Sequence, residues 1–127
     1  MIVLHVDDDP DDSALFCEAV KEAAPDYRCM VADSAASALE ILSDRRSIPD
    51  WIFLDMNMPK MNGLECLRLI KNNHALKHIK VIMYSTASDP VHIKEFKKLG
   101  AGFLAKPDRF DTLVRHLTEI LKNQVKS

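Results

Sequence analysis

The sequence predicts an α/β domain: five parallel strands covered by helices on both faces. Short, continuously apolar runs alternate with segments of helical period along the 127-residue chain. Strands buried on both faces read as such unbroken runs, and parallel neighbours need helical crossovers between them. No linker, repeat or second composition zone interrupts the alternation, so residues 1–127 are expected to form a single domain with no output domain attached.

The first apolar run, residues 2–6, ends in a burst of aspartates. Residues 10–24 follow as a helix, with Ala14, Cys17, Val20 and Ala24 at helical spacing. Pro10 suits its first turn, and Asp11 and Asp12 favour its positive end. Residues 27–32 form the second strand, after which Ser34 offers an N-cap to a helix carrying Ala38, Leu39, Ile41 and Leu42. The third strand, residues 51–54, stops at Asp55. The loop over 56–63 holds Pro59 and Asn62-Gly63, both turn formers, and Leu64, Leu67, Leu69 and Ile70 mark the next helix. Residues 81–84 are the fourth strand, and the segment from Ser85 to Pro90 leads into a helix with Val91, Ile93, Phe96 and Leu99 that ends at Gly100. Residues 103–105 are a short fifth strand stopped by Lys106-Pro107. An amphipathic helix over 108–124 closes the chain, with Phe110, Leu113, Leu117, Ile120 and Leu121 on one face.

Composition narrows the function classes. With 47% hydrophobic and 28% charged residues, the chain can build a core and is not a disordered tail. A net charge of −2 gives no footprint for nucleic acid. No apolar stretch reaches the roughly 18 residues of a membrane span, and the opening run is too short for a signal peptide. A cytoplasmic location is expected. Cys17, Cys29 and Cys66 lack a C-x-x-C spacing and read as reduced core residues.

In an open parallel sheet the site lies at the carboxyl ends of the strands, beside the point where the strand order reverses. The first strand ends in Asp7, Asp8 and Asp9, the third in Asp55, the fourth in Ser85 and Thr86, and the fifth in Lys106. The second ends in Ala32-Asp33. In a flavodoxin-like order 2-1-3-4-5 the second strand is an edge, and the reactive types fall on the four contiguous strands. Carboxylates meeting there repel unless a cation sits among them, and Mg²⁺ suits a site with one or two carboxylates and a phosphoryl oxygen. A hydroxyl and an ammonium would donate to an anion facing the metal. The set describes a site for phosphorylating a carboxylate.

These residues resemble the receiver domains of two-component response regulators. The resemblance runs from Ile2 to about Leu121 through Val6-Asp7-Asp8, Leu54-Asp55-Met56-Asn57-Met58-Pro59, Met61-Asn62-Gly63, Ser85 and Lys106-Pro107. It implies that Asp55 is the phosphoacceptor. It also implies that Asp7, Asp8, Asp55 and the Asn57 backbone carbonyl hold Mg²⁺ (or Mn²⁺), and that Ser85 and Lys106 contact phosphoryl oxygens. Pro59 and Gly63 would shape the acceptor loop, Phe103 would be the switching aromatic, and Ala87 would lie where side chains tune dephosphorylation. A cis Lys106-Pro107 bond is implied, an isomer that the tertiary amide permits. Thr86 is an alternative to Ser85, which is preferred because it follows the apolar run directly, thirty positions after Asp55. Gly100-Ala101-Gly102-Phe103 is one residue shorter than the family spacing, which leaves the start of the fifth strand open.

Plainer readings stand beside these. Asp9, Asp11 and Asp12 read as solvated first-turn acids. His74 and His78 have helical metal-pair spacing but read as exposed, and Met56, Met58 and Met61 as loop packing. Trp51 reads as a core or rim aromatic roughly 13 Å from Asp55. The function expected is a phosphoacceptor switch rather than a turnover enzyme. It would be served by a histidine kinase or histidine phosphotransfer protein and act on a separate partner protein, as a monomer or a phosphorylation-dependent dimer. An aspartyl-phosphate hydrolase of the haloacid dehalogenase type is the enzyme alternative, but there the nucleophile strand comes first. A receiver that binds without phosphorylation, and a flavodoxin-like cofactor binder, are the others; the latter lacks a phosphate loop after the first strand.

Overall fold

Strands β1 (Ile2–Val6), β2 (Arg28–Ala32), β3 (Trp51–Leu54), β4 (Lys80–Ser85) and β5 (Gly102–Ala105) alternate with helices α1 (Pro10–Ala23), α2 (Ala35–Leu42), α3 (Gly63–Lys71), α4 (Pro90–Lys98) and α5 (Phe110–Asn123). This is a computed structural model, which describes residues 1–86 and 90–123. The strands pair in parallel in the order β2-β1-β3-β4-β5, as expected from the sequence.

Each inner strand supplies two cores by its period of two. Val3, Trp51, Phe53 and Tyr84 face α1 and α5, where they meet Phe16, Val20, Leu113 and Leu117. Leu4, Val6, Ile52, Leu54, Val81 and Met83 face α2, α3 and α4, against Ala38, Leu67, Ile70 and Phe96.

Helix starts follow the local chemistry. Asp9 caps α1 by accepting from the Asp11 and Asp12 amides, with Pro10 in the first turn. Ser34 caps α2, and Asn62 forms a reciprocal capping box with Glu65 at α3. Gly100, at φ 85°, takes the left-handed conformation that terminates α4.

Several expectations are corrected. The buried face of α1 is Ser13, Phe16, Ala19, Val20 and Ala23; Ala14 is exposed and Cys17 only half-buried. The face is turned by one residue because Phe16, its largest apolar side chain, must enter the core, where it stacks on His5 at 4.2 Å. Leu69 lies off the Leu64–Leu67–Ile70 face of α3 and is 47% exposed, and Val91 is 72% exposed at the start of α4. Phe110 is likewise exposed, because α5 is anchored by Leu113, Leu117 and Leu121 one turn further on.

Cys17 and Cys29 are not reduced core residues but form a disulfide, with Cα atoms 5.7 Å apart. The packing of α1 against β2 brings them together, and Cys66 alone is a free, buried thiol. Burial pushes the Cys66 pKa up to about 11. The Lys106-Pro107 bond is trans, since no described peptide bond is cis; the two isomers of an X-Pro bond differ by only about 0.5–1 kcal/mol, so the sequence does not fix the choice. Strand β5 begins at Gly102, one residue before its expected start.

Candidate functional site

The ladder continues one residue past the strands and fixes the functional residues at its rim. The Asp7 amide donates to the Ala32 carbonyl at 3.0 Å, the Asp55 amide to that of Val6 at 3.0 Å, and the Lys106 amide to that of Ser85 at 2.9 Å. The strand order then brings Asp7, Asp55, Ser85 and Lys106 to one edge of the sheet.

Asp7 and Asp55 are buried, at 2% and 6% exposure, whereas Asp8 is exposed. One carboxylate oxygen from each of the three lies within 4.8 Å of the others. Three hard oxygen donors at that separation suit a divalent cation that prefers oxygen, so the residues present fit Mg²⁺ or Mn²⁺. Beside the acids, between α1 and β2, opens a groove of about 440 Å³ lined by Asp8, Ala14, Cys17 and Val31 among others.

Burial raises the Asp55 pKa; the Lys106 charge opposes this and the Asp7 charge adds to it. The Asn57 amide donates to Asp55 Oδ1 at 3.5 Å. Gly63 is required by close approach: a Cβ there would collide with the Asp55 carbonyl and lie 2.8 Å from the Met56 Cα. Lys60, at φ 68°, is the non-glycine residue that turns this loop, which the turn formers Pro59 and Asn62-Gly63 did not single out.

Lys106 reaches two acids directly. Its ammonium donates to Asp7 Oδ2 at 2.7 Å and to Asp12 Oδ2 at 2.9 Å, and stands 3.9 Å from Asp55 Oδ2. Burial works against this charge, but the Asp7 and Asp12 hydrogen bonds and the Asp55 carboxylate outweigh it, and the pKa is raised. Asp12 is therefore more than a solvated first-turn acid. Its position on α1 shows only in the tertiary packing, and no local pattern distinguishes it from Asp11.

Ser85 is fully buried and Thr86 exposed. The Ser85 hydroxyl lowers the Asp55 pKa, and its buried oxygen makes no hydrogen bond among the described residues. Phe103 is half-buried and its ring lies 6.3 Å from that of Phe96. Ala87 lies outside the described residues. His74 and His78 are exposed in the turn before β4 and join no metal-ligand group among the described residues. Met58 packs in the core below the site, and Met56 and Met61 lie against it. Trp51 is buried at the opposite end of β3.

His5 was not singled out by the sequence, although a histidine inside an otherwise apolar strand two residues before Asp7 is a visible signal. It is fully buried between Phe16 and Tyr84; neither ring nitrogen has a hydrogen-bond partner among the described residues, and Nε2 stands 3.8 Å from Asp7 Oδ2. Burial lowers its pKa to about 4, with Asp7 pulling the other way.

The family model for the response regulator receiver domain matches residues 3–118. The chain belongs to that family. Among curated relatives of this receiver domain, two-component response regulator ORR3 of Oryza sativa subsp. indica is 35% identical over 108 residues, covering 84% of this chain and 80% of that protein. A probable cyclic di-GMP phosphodiesterase of Vibrio cholerae is 34% identical over 96% of this chain, which spans only 27% of that larger protein. Among solved structures, the Mn²⁺-bound form of response regulator Rcp1 superposes with a TM-score of 0.84 at 26% identity, covering 99% of this chain and 95% of that one. The phosphorylated cyanobacterial phytochrome response regulator RcpA gives a TM-score of 0.87 at 25% identity, covering 98% of this chain and 93% of that one. Receiver domains are phosphoacceptor signalling modules, and this chain is one. Among its described residues no helix is long and apolar enough to cross a membrane.

Proposed function

We propose that Asp55 is the phosphoacceptor and that a histidine kinase or histidine phosphotransfer protein presents the phosphoryl group as a phosphohistidine. The observation that carries this is the buried Asp55 carboxylate within 4.8 Å of Asp7 and Asp8, with the Lys106 ammonium 3.9 Å away. A carboxylate oxygen of Asp55 attacks phosphorus in line; the O–P bond forms as the N–P bond breaks, and the imidazole leaves. Mg²⁺ or Mn²⁺, held by Asp7, Asp8, Asp55 and the Asn57 carbonyl, would neutralise charge on the phosphoryl oxygens. The Mn²⁺-bound form of Rcp1 and the phosphorylated form of RcpA support this reading.

Lys106 and Ser85 receive the phosphoryl oxygens. Ser85 suits the role better than Thr86, because its hydroxyl is buried and makes no hydrogen bond among the described residues. Its movement toward the phosphoryl group would let Phe103 turn inward, biasing the surface of α4, β5 and α5 toward one of two packings. The output is a change in affinity for a separate protein partner. The domain promotes its own phosphorylation and dephosphorylation and is not a turnover enzyme.

Incubation with Mg²⁺ and acetyl phosphate, followed by intact mass, tests the assignment. One phosphoryl adduct is expected on the wild type and none on Asp55→Asn. An undiminished adduct on that variant, or sustained hydrolysis of a generic phosphate ester, would sink the proposal.

A further inference from the structure

The side chain of Asp12 lies outside the Asp7–Asp8–Asp55 group, yet it holds one member of the site. Two of the three donors of the Lys106 ammonium are committed, to Asp7 at 2.7 Å and Asp12 at 2.9 Å, while Asp55 stands at 3.9 Å. The Asp12 pair spans 94 residues and ties the first turn of α1 to the segment after β5. The Asp12 amide is itself held by the capping Asp9 carboxylate at 3.4 Å, which places the side chain. The Tyr84 ring lies 5.5 Å from the ammonium, so the lysine sits between that ring, Asp12 and the two strand-end acids.

The two acids that hold Lys106 differ in their other duties. On the reading proposed above, on which this inference rests, Asp7 also binds the cation. Asp12 lies outside that acid group. We propose that Asp12 is a positioning residue that retains Lys106 in the resting state and competes for it with the phosphoryl group on Asp55. The acid thereby sets how much of the lysine's charge the phosphorylated form can use. Its carboxylate is 39% exposed against 11% for the lysine side chain, so solvent screens the pair in part and the effect is one of tuning.

The test uses two ligands, Mg²⁺ alone and the phosphoryl mimic beryllofluoride at saturating Mg²⁺, each titrated by calorimetry. Asp12→Asn is expected to bind beryllofluoride about threefold to fivefold more tightly, the range of a partly exposed ion pair. It is expected to bind Mg²⁺ more weakly, because the lysine's charge then falls undivided on Asp7 and Asp55. Loosening of α1 would weaken both ligands, so opposite shifts separate positioning from a structural role. Asp12→Glu should restore wild-type values, and Asp12→Ser should repeat the effect of the asparagine. In a Lys106→Met background, Asp12→Asn should leave beryllofluoride affinity unchanged. Wild-type affinities in Asp12→Asn, or an undiminished effect without Lys106, would overturn the proposal. A wild type that takes neither beryllofluoride nor a phosphoryl group from acetyl phosphate would instead overturn the assignment of the site, and this proposal with it.

Discussion

At the scale of single residues, His5 couples stability to pH. Its folded-state pKa is lowered from 6.5 to about 4 by burial. Between those values the unfolded chain takes up a proton that the folded chain refuses, so stability falls as pH falls through this window. The shift corresponds to a loss on the order of 3 kcal/mol, complete below about pH 4. His5→Leu keeps an apolar side chain of similar size and removes the group. Denaturant melts in EDTA, compared at pH 7.5 and pH 4.5, should show a smaller acid loss in the variant. Equal losses in both proteins would mean that the imidazole is not held neutral. The same burial explains why the residue is conspicuous: a ring whose two nitrogens make no hydrogen bond among the described residues sits two residues before Asp7, whose Oδ2 stands 3.8 Å from Nε2.

At the scale of elements, the disulfide fastens α1 to β2, the edge strand that pairs only with β1. The cysteines are separated by 12 positions, and closing a loop of that length in the unfolded chain is worth about 3 kcal/mol in the chain-entropy account. A dithiol reductant should lower the denaturant midpoint of the wild type by a corresponding amount and leave that of Cys29→Ser unmoved. Identical wild-type midpoints with and without reductant would exclude the staple. Both cysteines are half-buried, Cys17 lines the groove beside the acids, and the bond ties α1, which carries Asp12, to β2 near the middle of the helix.

For the whole molecule, the proposed cation site would link metal binding to folding through the acid cluster. A ligand that binds only the folded state stabilises it by about 2.7 kcal/mol at one hundred times its dissociation constant. The thermal midpoint of the wild type should therefore climb with Mg²⁺ concentration. Asp8→Asn should flatten that climb while changing the metal-free midpoint little, since Asp8 is exposed. A Mg²⁺ response in Asp8→Asn equal to that of the wild type would remove Asp8 from the ligand set. Stability and the site are thus one problem here: the carboxylates that repel one another are those a cation would draw together.

The sequence by itself determined the parallel sheet and the residues that end its strands. Unbroken apolar runs with helices between them argue a parallel sheet, and in the flavodoxin-like order 2-1-3-4-5 the strand ends place Asp7, Asp8, Asp55, Ser85 and Lys106 together. Those features are encoded locally, in periodicity, caps and the residue after each strand. Tertiary structure alone decided that Phe16 turns the buried face of α1, that Cys17 meets Cys29, that Lys106-Pro107 is trans and that Asp12 reaches Lys106. It also left the Ser85 hydroxyl buried without a hydrogen bond among the described residues. Each side-chain pairing depends on how far α1 is rotated against the sheet. That rotation is fixed by fitting large side chains into a close-packed core, and a 3.6-residue period does not contain it.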